Sequence, residues 1–233
     1  MDVDALLLTL RLATATTAVL MVVAVPLAWW IARGEGLGRG FVQALVAMPL
    51  VLPPTVLGFY LLVVMGPMTR PGRVLIGLLG HPLAFSFGGL LVGSILYSLP
   101  FAVQPLVAGF RAVDREYVEA AIGLGVRPRK VFFGVVLPMA GTSLLTSAVL
   151  TFTHTVGEFG VVLMLGGNIP GVTRTLSISL YNMVEDGRYI EANETAGMLV
   201  GVALVTLLVT YLLPTARGVA QRWNGGDRGD VIG

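Results

Sequence analysis

Few residues in this chain can do chemistry. Glu158, in Gly157-Glu158-Phe159-Gly160, is an acid set inside an apolar run. A charge there is costly enough to mark a functional candidate. His154 precedes it by four residues and so shares its face on a helix. Three readings fit the pair: half of a metal site, a proton relay, or a structural acid bonded to backbone or polar groups at a helix break. The first lacks further ligands, because His81 is the other histidine and the chain has no cysteine. Disulfides and thiol catalysis are excluded on the same count. His154 alone reads as a packed, neutral histidine. The only lysine, Lys130, stands in Arg129-Lys130-Val131, and no Gly-x-x-x-x-Gly-Lys-Ser/Thr occurs. The cradle that holds nucleotide phosphates is therefore missing, and any work driven by ATP needs a separate subunit to hydrolyse it. No nucleophile–base pair assembles from these residues, so an enzyme is not expected.

A second stretch is fitted for recognition. From Asp114 to Pro138 the chain turns polar between apolar runs. Asp114 is placed to N-cap a short helix, with Glu116 in its first turn. Gly125 is placed to end that helix in a left-handed turn, and Pro128 to open the next one. At about 100° per residue, Tyr117, Ala120, Ala121 and Leu124 fall on one face, with Arg115, Glu116 and Glu119 gathered opposite. About ten residues make roughly 15 Å of helix. That is too short to cross a bilayer, so a helix over about 114–125 is expected along the membrane surface. Its two alanines let another surface approach the backbone. An ordinary amphipathic surface helix is the alternative.

The elements that must position these residues are membrane spans. The chain of 233 residues is 55% hydrophobic and 12% charged, with mean hydropathy +0.86. A soluble domain carries about 25% charged residues. The expectation is an all-α integral membrane protein of about five spans, near 5–32, 41–65, 87–110, 139–165 and 195–214, each about 20 residues or more. Met1-Asp2-Val3-Asp4 lacks the basic start of a secretory signal, so the first apolar run reads as a retained span. Arg11 lies near its outer end, where it can snorkel, and Trp29 and Trp30 suit the other interface. Pro49, Pro53 and Pro54 must interrupt the second span, which is tolerated where neighbouring helices or a watery cavity satisfy the freed carbonyls. A loop is expected over 66–85 and an outer loop from Gly166 to Arg174. Residues 175–193 are ambiguous, apolar enough at first to enter the membrane and too acidic later. The tail over 217–233, rich in glycine and charge, reads as disordered. No internal repeat is visible, and a net charge of +2 argues against a nucleic-acid partner.

Charge sets the orientation. The loop 33–40, the stretch 111–130 and the tail together carry ten basic residues, against Arg70, Arg73, Arg174 and Arg188 on the opposite side. The positive-inside rule then puts the 114–125 helix and the C-terminus in the cytoplasm and the N-terminus outside.

Three motifs carry a resemblance. Glu119-Ala120-Ala121, then Gly125, then Val135-Val136-Leu137-Pro138 resembles the cytoplasmic loop of ABC importer permeases. Gly157-Glu158-Phe159-Gly160 with Gly167-Asn168-Ile169-Pro170-Gly171-Val172-Thr173-Arg174-Thr175, and Pro49-Leu50-Val51-Leu52-Pro53-Pro54-Thr55-Val56-Leu57-Gly58, are similar to the molybdate branch of that family. The similarity runs from about residue 5 to 215. It implies the type I permease fold in a prokaryotic inner membrane and a homodimer with its pathway on the two-fold axis. Two cytoplasmic ATPase subunits would hold ATP and Mg, and an external binding protein would deliver a tetrahedral oxyanion. Molybdate comes first, with tungstate or sulfate as alternatives. No cofactor on this chain is implied. In these terms Tyr117, Glu119, Ala120, Ala121, Leu124 and Gly125 would meet the ATPase. Pro53, Pro54, Thr55, Glu158 and Phe159 would line the path or gate, and Asn168, Pro170, Gly171 and Arg174 would face the binding protein. The rival from another class is a secondary transporter that moves protons through His154 and Glu158.

Overall fold

The computed structural model describes residues 2–34 and 36–226. It is helical throughout the regular part of that range. Helix α1 (Val3–Ala32) starts where Asp2 accepts the Ala5 N–H at 3.0 Å. Its buried stripe of Leu12, Ala13, Thr16, Leu20, Ala24 and Ala28 is mostly small, which lets neighbouring backbones come close, as membrane helix packing requires.

Residues 41–65 are not one straight span. Helix α2 (Leu37–Ala47) passes through a 3-10 turn at Met48–Leu50, stops, and restarts as α3 (Pro54–Met65) at an angle of 108°. Three prolines withhold N–H groups from the helical ladder here, and Pro54 supplies the fixed φ of a first helical turn. Residues 66–85 hold a helix where a loop was expected: α4 (Arg70–Leu79), capped by the Thr69 hydroxyl and closed at Gly80 with φ +76°.

Helix α5 (Phe87–Arg111) runs unbroken through Pro100 and Pro105. It packs with α1 around Leu20, Ala28, Ala102, Leu106 and Phe110. The polar stretch gives α6 (Arg115–Gly123), with Asp114 accepting the Glu116 N–H at its start. Next come α7 (Pro128–Val131), a π turn at Phe132–Val136, and α8 (Leu137–Met139). Pro138 has no N–H to offer the Gly134 carbonyl. The ladder widens just before it, with the Leu137 N–H reaching back to the Phe132 carbonyl.

A bend of 71° leads into α9 (Gly141–Gly157). The fourth span then breaks at Glu158 and Phe159 before α10 (Gly160–Gly166). The ambiguous segment forms α11 (Leu176–Glu185), anchored where the Leu176 N–H donates to buried Thr9 Oγ1 on α1 at 2.8 Å. The last helix, α12 (Tyr189–Gly226), starts six residues ahead of the expected span. It also takes in 217–226, where disorder was expected. Residues 227–233 of that tail lie outside the described residues. Among the described residues, three helices are long and apolar enough to cross a membrane, or up to five if each bent pair is one span.

Candidate functional site

The candidate residues fall into three places along the bundle. At one end lies α6, none of whose residues is buried. Tyr117 and Leu124 are 59% and 84% exposed, and Ala120 is exposed beside them. Ala121 departs from the expected face: it is half-buried, with Val118, on the side turned to the bundle. Glu119, itself exposed, also lines a cleft shared with Trp29, Arg33 and Arg111. The helix ends as its capping chemistry requires. The Val126 N–H returns to the Ala121 carbonyl at 3.2 Å, and Gly125 sits at φ +78°.

At mid-bundle the two helix breaks meet. A Cβ on Gly160 would come within 2.8 Å of Pro54 Cβ, and one on Gly58 within 2.7 Å of Met164 Cβ. The start of α3 therefore rests directly on the start of α10, which brings Pro54 and Thr55 beside the Glu158-Phe159 break. Pro53 and Thr55 are exposed, Pro54 and Phe159 half-buried. Phe159 packs towards Leu12, Leu90, Val162 and Ile178, and its ring lies 5.2 Å from that of Tyr181.

Glu158 is 4% exposed, and neither carboxylate oxygen has a hydrogen-bond partner among the described residues. Two buried hydroxyls, Thr16 Oγ1 on α1 and Ser94 Oγ on α5, are also unpaired. Each stands one turn from the Leu12–Leu90–Val162 cluster, as Glu158 does. A break of this kind holds a polar layer inside an apolar bundle.

His154 pairs elsewhere. Its Nδ1 is 2.9 Å from Ser98 Oγ, which is 3.0 Å from Thr155 Oγ1, and its ring stacks on Phe101 at 4.0 Å and lies 4.9 Å from Tyr97. The four-residue spacing from Glu158 brings no bond between them. Ser94, Ser98, Ser147, Thr151 and Thr155 were not singled out in sequence. Their signal was a hydroxyl every fourth residue inside apolar runs, and Ser147 Oγ donates to the Ala102 carbonyl at 2.5 Å across the α5–α9 interface.

The far end carries the Gly166–Arg174 loop. Thr173 braces it, donating to the Gly166 carbonyl at 2.7 Å and accepting from the Ile169 N–H at 3.2 Å. Pro170 and Gly171 form its turn, Gly171 at φ +71°. Arg174 Nε donates to Asn168 Oδ1 at 2.7 Å, and Asn168 exchanges amide hydrogen bonds with Asn182 at 3.0 and 3.1 Å. With Asp2, Glu185 and Arg188 these residues line a polar cavity of about 580 Å³. Asp2 at this end and Trp29 beside α6 are opposite ends of α1, whose 30 residues span about 45 Å. The expected recognition residues thus sit at the two ends of the bundle, and the expected path residues between them.

Comparison with known proteins adds the family. Residues 24–223 match the binding-protein-dependent transport system inner membrane component family. The chain is 49% identical over 216 residues to the molybdenum transport system permease protein ModB of Azotobacter vinelandii, covering 93% of this chain and 94% of that protein. Identity to the ModB of Escherichia coli K12 is 30%, over 90% of this chain and 92% of the relative. A probable sulfate transport system permease protein of Chlorella vulgaris is 31% identical over 89% of this chain and 77% of its own length. Among solved structures, the bacterial alginate ABC transporter in complex with an alginate-bound periplasmic protein superposes with TM-score 0.72 at 18% identity, over 89% of this chain and 76% of the other. The inward-facing MetNI methionine ABC transporter does so with TM-score 0.59 at 20% identity, over 95% of each chain. A matched region of this extent, on a fold shared with ABC permeases, places the chain in the binding-protein-dependent transport system inner membrane component family, as a multi-pass inner membrane protein.

Proposed function

We propose that this chain is the permease subunit of an ATP-driven molybdate importer and works as a pair. Two cytoplasmic ATPase subunits would supply ATP and Mg chemistry, and an extracytoplasmic binding protein would deliver the oxyanion. The substrate reading is supported by the names of the relatives at 49% and 30% identity, and the oxyanion class by the sulfate permease at 31%. The observation that carries the coupling is α6, a capped helix with no buried residue, which offers Tyr117, Ala120 and Leu124 to a partner. It stands at the more basic end of the chain, which belongs in the cytoplasm.

The proposed mechanism is a switch between two rigid arrangements. ATP-driven closure of the ATPases draws the two α6 helices together. The pull reaches α5 and α7, which flank α6 in the chain, and from there the helix breaks at mid-bundle. Those breaks are where a helix can change angle without losing hydrogen bonds it already lacks. A path beside Glu158, with hydroxyls and scarcely any basic residue near it, is a poor resting place for a divalent anion. Selectivity then lies in the binding protein, and the purified permease alone should form no tight molybdate complex.

The test is ATP-dependent molybdate uptake by the chain reconstituted with its ATPase and binding protein. Glu119→Trp and Gly125→Trp should each abolish uptake while the permease still inserts. Normal uptake in both variants overturns the coupling role. Uptake driven by a proton gradient without any ATPase would favour a secondary transporter.

A further inference from the structure

One side of α5 is covered in its first half and open beyond. At helical spacing, Gly93, Tyr97, Gln104 and Ala108 fall within about 60° of one another. Gly93 is buried because α10 lies on it: a Cβ there would meet Leu165 Cδ1 and come within 2.9 Å of Val161 Cγ1. Tyr97 reaches the same Val161 and Leu165 cluster, beside Leu57 and Leu61 of α3. Helix α10 starts only at Gly160, so this cover ends where the fourth span breaks. Below it the same side of α5 comes into the open, with Tyr97 half-buried and Gln104 and Ala108 exposed.

Gln104 lies seven residues inside the Arg111 end of α5, about 10 Å along the axis and so at membrane depth. The polar links from α5 to α9 run through Ser98 and the Ala102 carbonyl, and none runs through Gln104. Pro105 has no N–H to offer the Phe101 carbonyl. An exposed amide beside a freed carbonyl is tolerated at this depth where protein or water covers it, not against lipid. His154 flanks the opening, its ring stacked on Phe101 at 4.0 Å, but it brings no donor. Thr155 gives its hydroxyl proton to the Thr151 carbonyl, so Ser98 donates to Thr155 and accepts the Nδ1–H of His154. The neutral ring then has no proton on Nε2. Gln104 is left as the exposed hydrogen-bond donor of this face.

We propose that Gln104 is the mid-membrane contact of the oxyanion in transit, its amide donating to the anion from each copy of the pair; this rests on the permease reading above. A carboxamide offers two N–H donors and no charge. It therefore replaces part of the hydration shell of a dianion without trapping the ion as an arginine would. A tetrahedral anion has two-fold axes of its own, so two identical amides facing each other across the axis of the pair can share its four oxygens equally. The Tyr97 hydroxyl, about 10 Å further along α5 and under the start of α10, is the next donor on the same side.

The experiment uses the chain reconstituted with its ATPase and binding protein, and follows molybdate uptake and ATP hydrolysis together. Gln104→Glu keeps the shape and adds a negative charge. It should cut uptake per ATP at least about tenfold, while hydrolysis stimulated by the loaded binding protein stays within about twofold of wild type. Gln104→Lys supplies a fixed cation, so the purified full-length chain should then bind molybdate at least about tenfold more tightly than wild type in equilibrium dialysis. Leu96→Lys, at an exposed position of α5 about 80° round the helix from Gln104, should gain no such binding. Wild-type uptake per ATP in Gln104→Glu, or no more binding by Gln104→Lys than by Leu96→Lys, overturns the proposal. So does joint loss of uptake and stimulated hydrolysis in Gln104→Glu, which would make Gln104 a seam between the two copies. Uptake by the wild type in the same vesicles tests the permease reading by itself, so the two can fail separately.

Discussion

Gly160 shows how much one hydrogen atom can decide. It lets the start of α10 lie against Pro54, and a Cβ there would sit 2.8 Å from the proline ring. Gly160→Val should therefore destabilise the protein by about 1–3 kcal/mol through overpacking. Gly157→Ala, three residues earlier and facing open space, should be near neutral. Thermal unfolding of both in detergent checks the contrast; equal melting temperatures would mean that α3 and α10 do not meet this closely. Glu158 poses a different question, because its carboxylate is buried without a partner. Glu158→Gln keeps the volume and removes the charge, so stability should fall by less than about 1 kcal/mol. A larger loss in the same assay would reveal a charge-assisted bond, which is typically stronger than that.

At the scale of elements, hydroxyls do much of the joining. Thr9 donates to the Ala5 carbonyl at 2.7 Å and accepts from the Leu176 N–H, so it fixes the start of α11 against α1. Thr9→Val should leave that buried N–H unpaired and cost about 1–3 kcal/mol, measured as a lower unfolding temperature. A variant as stable as wild type would show that α11 is held by its apolar face alone. The breaks in the second span were legible, because proline cannot sustain the ladder, and so was the capped α6. Helix α4 was missed although Thr69 ahead of it and Gly80 behind it are cap residues; ten residues with two arginines looked like a loop. The surroundings of His154 could not be read, since Ser98 lies 56 residues away and only packing of α5 on α9 brings it near. The unpaired state of Glu158 is likewise a property of the assembled core.

The whole molecule has two unlike ends separated by the length of α1, about 45 Å, against a hydrocarbon core of about 30 Å. One end bears α6 and the basic segments around it; the other bears the Asn168–Arg174 loop and Asp2. The chain has no cysteine, so single introduced thiols report sidedness without background. Leu124, 84% exposed, and Asn168, whose side chain is held by Arg174 and Asn182, are the points to compare. In intact cells a membrane-impermeant maleimide should label Asn168→Cys and not Leu124→Cys, and after permeabilisation it should label both. The reverse pattern would put α6 outside, where no ATPase could reach it, and the coupling reading would fall while the fold stood. Labelling of both in intact cells would mean that α6 is reachable through an open path. The buried layer of Leu12, Leu90 and Val162 closes each copy to such a path, so it would have to run between the two copies.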